Sequence, residues 1–142
     1  MADVSPSIIW GCVRNNSCFL VKRNGAQLTS EPGNVMNNNT FKYSGLANEK
    51  SVDISYTDGK LAMGLKAPKR KNQPKQNVRV TPLNKNFRRG AHAIQSQTAG
   101  QWYRADLTDM ALARWSSLHR FSMVQKGLKR KAKTKVGRRG AK

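Results

Sequence analysis

Residues 51–65 decide the fold, and they read SVDISYTDGKLAMGL. The dipeptide Asp58-Gly59 is typical of two-residue hairpin turns, because Asp and Gly both tolerate the positive φ that such a turn requires. On either side of the turn, apolar side chains alternate with polar or small ones. The apolar positions are Val52, Ile54, Tyr56, Leu61, Met63 and Leu65. The stretch therefore predicts a β-hairpin with one apolar face.

The chain before this hairpin carries further strand signals. Residues 18–23 have the composition of a strand, and Asn24-Gly25 after them predicts a second hairpin with its own return strand. Residues 41–46 are a further strand candidate. Together these patterns predict a small antiparallel sheet of about four or five strands in the N-terminal half.

Helical spacing replaces strand alternation after residue 86. Phe87, Ala91 and Ile94 recur at intervals of four and three residues, which predicts a helix that ends at a break near Gly100. Asp106 is predicted to cap a second helix. The apolar stripe of that helix comprises Leu107, Ala111, Trp115 and Leu118, flanked by Met110 and Phe121.

These elements define the predicted fold class. At the N-terminal end, Ser5-Pro6 favours a short helix over residues 8–13, with a strand as the competing interpretation. The chain is therefore predicted to be α+β: a small antiparallel β-sheet in the N-terminal half is followed by two α-helices that cover one of its faces. Two extended basic segments complete the prediction.

The charge of the chain is concentrated in those two segments. The 142 residues include 27 Lys and Arg against 7 Asp and Glu, a net charge of +20. Residues 66–89 hold nine basic and no acidic groups, and residues 126–142 hold nine and none. The predicted organisation is a β-rich part (1–65), a basic extended arm (66–89), a helical part that packs on the sheet (90–125) and a basic C-terminal tail (126–142). Such self-repelling segments favour a polyanionic partner, and nucleic acid is the obvious candidate.

The same sequence offers little for catalysis or metal binding. Cys12 and Cys18 lie six residues apart, and neither forms a ligand motif with His92 or His119. The carboxylates are few, and there is none between Asp58 and Asp106. No apolar run approaches the length of a membrane span, and no secretory signal is evident. We therefore expect no enzymatic activity, metal, cofactor, small-molecule substrate or membrane partner.

The candidate RNA contacts are the basic residues of the two segments and a cluster between the predicted helices. In the first segment they are Lys69, Arg70, Lys71, Lys75, Arg79, Lys85, Arg88 and Arg89. In the second they are Lys129, Arg130, Lys131, Lys133, Lys135, Arg138 and Arg139. Trp102, Tyr103, Arg104 and Arg114 complete the set. Trp102 and Tyr103 are predicted either to stack on bases or to fill the core, and the sequence leaves both open.

An ordered series of short motifs over residues 8–120 resembles the family of eukaryotic cytosolic large-subunit ribosomal protein number twenty-eight. The motifs are Val13-Arg14-Asn15, Phe19 to Asn24, Ser30-Glu31-Pro32 with Asn34, Phe41 to Asn48 with Lys50, Asn84-Lys85, Tyr103-Arg104, and Asp106-Leu107 with Ala111 and Arg114. The family often has Pro before the Asp that begins its last helix, where this chain has Ala105.

The resemblance implies a structural, rRNA-binding component of the cytosolic 60S subunit, assembled in the nucleolus. It also implies neighbouring ribosomal proteins as partners and no enzymatic activity. Two alternatives remain open: a histone-like DNA-compacting protein, and a nucleolar assembly factor that leaves the mature particle. The β-rich front half argues against the first, since histone-like proteins favour a helical body with low-complexity tails.

Overall fold

The computed structural model describes residues 4–71, 73 and 75–131. Within them the chain forms three α-helices, five β-strands and two 3₁₀ turns. In chain order the helices and strands are α1 (Pro6–Val13), β1 (Leu20–Arg23), β2 (Ala26–Thr29), β3 (Val52–Thr57), β4 (Lys60–Lys66), β5 (Val78–Pro82), α2 (Phe87–Thr98) and α3 (Thr108–Gln125). The α+β class is confirmed, and the N-terminal segment is the helix rather than the strand.

The central hairpin forms as its pattern predicts. Strands β3 and β4 pair antiparallel, with Ile54 opposite Met63. The turn between them has positive φ at Asp58 (51°) and Gly59 (77°), and Gly tolerates this conformation because it has no side chain. The side chains of Ile54 and Met63 are fully buried. The apolar face of the hairpin therefore forms one side of the hydrophobic core.

The strands form two sheets instead of the single sheet that we predicted. Strands β1 and β2 form a separate hairpin, and the larger sheet has the order β3-β4-β5. Its third strand comes from the first basic segment, so residues 66–89 are not a detached arm over their whole length. Val78 and Val80 favour a strand, and their backbones pair with β4 at Lys66 and Gly64. Charge repulsion acts on the side chains and leaves this backbone pairing intact.

The predicted strand over residues 41–46 is wrong, because this segment folds as a series of turns. Its polar groups bind a buried carboxylate: the Ser44 hydroxyl donates a hydrogen bond to Glu31 Oε2 at 3.2 Å, and Gly45 N–H donates to Glu31 Oε1 at 3.3 Å. Asn48 Nδ2 also donates to the carbonyls of Phe41 and Ser44. These local side-chain bonds compete with strand pairing.

Helices α2 and α3 cover the apolar face of the larger sheet. Trp115 of α3 is fully buried, as are Ile94 of α2 and Leu107 just before α3. Gly90 lies directly against the Trp115 indole: a Cβ atom at residue 90 would stand 2.3 Å from Trp115 Cζ2. Gly90, which has no side chain, is therefore the point at which the two helices meet.

The predicted capping role of Asp106 is wrong. A 3₁₀ turn over Ala105–Leu107 precedes α3, which begins at Thr108 with no side-chain cap. The carboxylate of Asp106 binds the guanidinium of Arg104 instead. The carboxylate that the sequence pattern assigned to the helix start thus binds a side chain two residues before it.

Candidate nucleic-acid interface

The loop between α2 and α3 holds the predicted cluster of residues 102–104, and its members have different roles. Trp102 is 84% exposed and has a positive φ of 50°. Tyr103 is turned to the body, where its hydroxyl accepts a hydrogen bond from Ser51 N–H at 3.1 Å and donates to the carbonyl of Lys66 or Ser51. Burial raises the pKa of Tyr103 above its ordinary value of 10.0. Tyr103 therefore ties the loop to the sheet.

Arg104 also ties the loop to the body of the protein. Its Nη1 and Nη2 donate to the carbonyls of Lys50 and Lys42, both at 2.9 Å. Its Nε and Nη2 donate to the two carboxylate oxygens of Asp106 at 2.8 and 2.9 Å. Hydrogen bonding to Arg104 lowers the pKa of Asp106, and only 16% of the Arg104 side chain is exposed. The guanidinium is occupied inside the protein.

Arg114 lies on α3 and is half-buried. Its Nε is buried and has no hydrogen-bond partner among the described residues. Arg114 interacts electrostatically with Asp53 of β3. Burial raises the pKa of Asp53, and the positive charge of Arg114 opposes that rise. Part of the electrostatic effect of Arg114 is thus on Asp53, a group within the protein.

The outer side of α2 carries an open groove of about 830 Å³, which we call the α2 groove. Its residues are mostly cationic or polar; they are Asn84, Lys85, Asn86, Arg88, Arg89, His92, Ala93, Ser96 and Gln97. Lys85, Arg88 and Arg89 are exposed. Within the part of the chain that the structure describes, no hydrogen bond or ion pair engages their side chains. These donors are therefore available to an external anion.

The α2 groove brings together three of the predicted RNA contacts and adds residues that the sequence reasoning missed. Arg88, His92 and Ser96 recur at intervals of four, which places them on one face of α2. The opposite face holds the buried Gly90 and Ile94. The helical period that predicted the apolar stripe could have found this polar face as well, because the two are complementary.

The connection between β4 and β5 carries other predicted contacts. Lys69, Arg70 and Lys75 are exposed. Arg70 Nη1 donates to Gln76 Oε1 at 3.0 Å, and Lys71 Nζ lies 3.6 Å from the Glu49 carboxylate. This surface is thus cationic, and Arg70 and Lys71 also make contacts within the protein.

Two other groups of predicted contacts have different positions. Arg79 is exposed on β5, where it stands opposite Leu65. Lys129, Arg130 and Lys131 are exposed beyond the end of α3. Four further predicted contacts lie outside the described residues: Lys133, Lys135, Arg138 and Arg139.

The described residues contain no cluster of three or more His, Cys, Asp or Glu side chains that could hold a metal ion. Cys12 and Cys18 are exposed free thiols. Among the described helices, none is both long and apolar enough to cross a membrane.

The α+β body and its cation-lined groove define a small basic protein with a surface suited to polyanions. The chain belongs to the Ribosomal L28e protein family, whose model matches residues 8–121. It is 32% identical over 134 residues to the large ribosomal subunit protein eL28 of Dictyostelium discoideum, covering 94% of this chain and 98% of that protein. It is 32% identical over 122 residues to eL28 of Schizosaccharomyces pombe, covering 82% and 91%. The resemblance seen in the sequence is confirmed.

Proposed function

We propose that this chain is a structural constituent of the large ribosomal subunit and that it binds folded rRNA. Membership of the L28e family supports the assignment to the subunit, since the relatives bear the name of a large-subunit protein. The observation that carries the RNA-binding part is the α2 groove, whose three cations have no partner among the described residues. The protein acts by binding and has no catalytic step.

Binding at the α2 groove is electrostatic and geometric. Each cation that meets a phosphate releases condensed counterions, and this release drives association. Arg88 and Arg89 can each bridge two phosphate oxygens, whereas Lys85 acts as a point charge. The amides of Asn84, Asn86 and Gln97 donate and accept hydrogen bonds, which suits sugar hydroxyls and base edges.

The other basic residues extend this interface. Phosphates beside the β4–β5 connection are contacted by Lys69, Arg70, Lys71, Lys75 and Arg79. These contacts lower the repulsion between rRNA segments that lie close together. The basic residues from Lys129 to Arg139 do the same beyond α3. Trp102 stacks on an exposed base, because its indole is solvent-exposed. Tyr103, Arg104 and Arg114 position the loop and helix next to these contacts.

The protein is assembled with rRNA in the nucleolus and works in cytosolic ribosomes beside neighbouring ribosomal proteins. Sedimentation of a tagged copy from eukaryotic cells through a high-salt gradient tests this proposal. We expect the tag in 60S, 80S and polysome fractions. Recovery with chromatin would favour a DNA-compacting protein instead. Recovery only in nuclear precursor particles would favour an assembly factor, and either result would overturn the proposal.

A further inference from the structure

A second groove lies on the other side of the α2 N-terminus, between the β3–β4 turn and the end of α3. We call it the Phe87 pocket. Its volume is about 800 Å³, within the range of small-molecule binding sites. The lining residues that matter here are Asp58, Lys60, Lys85, Phe87, His119 and Lys126. None of these except Lys85 is among the contacts predicted from the sequence.

An aromatic platform forms one wall of the Phe87 pocket. The Phe87 ring lies nearly parallel to the Trp115 indole, with 6.3 Å between centroids and 14° between planes. The His119 ring stands 5.3 Å from each of them. Trp115 is fully buried, yet Phe87 is 44% exposed. The buried indole therefore holds an exposed aromatic ring in place, and such a ring can stack on a planar ligand at little entropic cost.

The pocket combines this platform with cations from three separate parts of the fold. Lys60 is at the start of β4, Lys85 precedes α2 and Lys126 follows α3. Within the described residues, no ion pair engages these three ammonium groups. Asp58 adds a carboxylate that accepts hydrogen bonds, and every nucleobase carries an N–H donor on its edge. Aromatic, cationic and acceptor groups together match a nucleotide better than a bare phosphate or an acidic peptide.

The Phe87 pocket and the α2 groove share a border. Asn84, Lys85 and Asn86 line both of them. At this border α2 begins without a side-chain cap, so its first N–H groups and its positive dipole end are available to an anion. A sugar-phosphate backbone that follows the α2 groove would therefore pass the mouth of the Phe87 pocket.

We propose that the Phe87 pocket binds one unpaired nucleotide of the rRNA. The base stacks on Phe87 and His119, and its flanking phosphates meet Lys60, Lys85 and Lys126. The inference rests on the proposed RNA-binding function and deepens it, since it adds recognition of a single splayed-out base to phosphate contacts. The bound RNA segment would therefore be a loop, bulge or end, where a base is free to leave its stack.

The test uses the full chain and two synthetic seven-nucleotide RNA oligomers that are abasic at their six outer positions. One, called intact below, carries a single uracil at its centre, and the other has an abasic site there as well, so that the two carry the same phosphates. Equilibrium binding at one salt concentration should favour the intact oligomer by about five- to a hundredfold, the range expected for one stacked base. This comparison needs no protein variant and so does not depend on whether a variant folds.

Two variants then assign the effect to the pocket. Phe87→Leu should strongly reduce the preference for the intact oligomer, and the preference that remains would come from stacking at Trp102. Phe41→Leu is the matched control, because Phe41 is similarly exposed at 42% and contacts another indole, that of Trp10. We expect this control to keep the preference.

Equal affinity for the two oligomers in the native protein would overturn the inference. So would an undiminished preference in Phe87→Leu, which would place stacking elsewhere, for example at Trp102. An oligomer displaced only by an acidic peptide and insensitive to the abasic site would point to a peptide site instead. The proposed function would survive each of these results as long as the protein sediments with the large subunit, so the two failures are distinguishable.

Discussion

The loop at residues 102–104 and the α2 groove both combine cations with neighbouring aromatic residues, but the protein uses the two regions differently. In the loop, Arg104 makes four hydrogen bonds to the carbonyls of Lys42 and Lys50 and to Asp106. In the α2 groove, Arg88 and Arg89 make none among the described residues. A cation whose donors are already bonded within the protein stabilises the fold, and one whose donors are unbonded can meet a partner; the number of charges does not separate the two.

The largest expected effect comes from removing the α2-groove cations. The triple variant Lys85→Gln, Arg88→Gln, Arg89→Gln should bind rRNA about 60-fold more weakly at physiological salt, since each lost phosphate contact contributes about fourfold. Its free energy of unfolding should not fall, because these side chains are exposed. Filter binding and chemical denaturation measure the two quantities.

A matched triple variant shows whether position or net charge matters. Arg14→Gln, Lys22→Gln, Arg23→Gln removes the same charge from exposed positions in the N-terminal part of the chain. We expect a much smaller loss of affinity. Equal losses in the two triple variants would mean that net charge alone governs binding, and the distinction between the two regions would fail.

Tyr103→Phe should have the opposite effects, lowering stability without lowering RNA affinity. It removes the hydroxyl that bonds Ser51 N–H and the Lys66 carbonyl, so the free energy of unfolding should fall by about 1–3 kcal/mol. RNA affinity of the folded protein should be unchanged. Tyr56→Phe is the control, since the Tyr56 hydroxyl makes no hydrogen bond among the described residues; we expect less than about 0.5 kcal/mol. A large loss of RNA affinity in Tyr103→Phe would mean that the Tyr103 hydroxyl itself contacts RNA.

Arg104→Lys separates geometry from charge. The substitution keeps the positive charge but loses the planar fork that reaches two carbonyls and both Asp106 oxygens, so stability should fall by about 1 kcal/mol. Arg89→Lys, which makes the same change in the α2 groove, should leave stability unaltered. Thermal unfolding of the two variants is the measurement. Equal melting temperatures would show that the fork of Arg104 does not stabilise the loop.

The smallest expected effect is the pH dependence of the Arg104–Asp106 contact. Arg104 lowers the pKa of Asp106 below its ordinary value of 3.8 in the folded state. The stabilisation is therefore fully present above pH 3.8 and is lost as pH falls from there through the lowered folded-state pKa. The stability difference between the native protein and Asp106→Asn should shrink over that window. A difference that stays constant down to low pH would contradict this account.

The sequence predicted the local elements better than it predicted their partners. The Asp58-Gly59 turn and the alternation around it set the central hairpin, because turn chemistry and burial agree there. The third strand was missed because Val78 and Val80 lie in a segment dominated by charge, and only β4 supplies the backbone partner that makes it a strand. The strand prediction for residues 41–46 failed for a related reason, because the structure of this segment depends on its hydrogen bonds to the distant Glu31.

The candidate site shows the same division. The sequence singled out Lys85, Arg88 and Arg89, because charge and helical position are both local properties. It did not predict that Arg104 would reach the carbonyls of Lys42 and Lys50, which are more than fifty residues away. Nor did it predict the Phe87 pocket, which forms only when the β3–β4 turn and the end of α3 come together.

Arginine footprinting compares the α2 groove and the loop at residues 102–104 within a single molecule. The native protein is treated with phenylglyoxal, free and bound to rRNA, and the modified residues are quantified by mass spectrometry. We predict that Arg88 and Arg89 react in the free protein and become protected in the complex, while Arg104 reacts poorly in both. Unchanged reactivity of Arg88 and Arg89 on RNA binding would show that the α2 groove does not meet RNA, and RNA-dependent protection of a reactive Arg104 would show that Arg104 does.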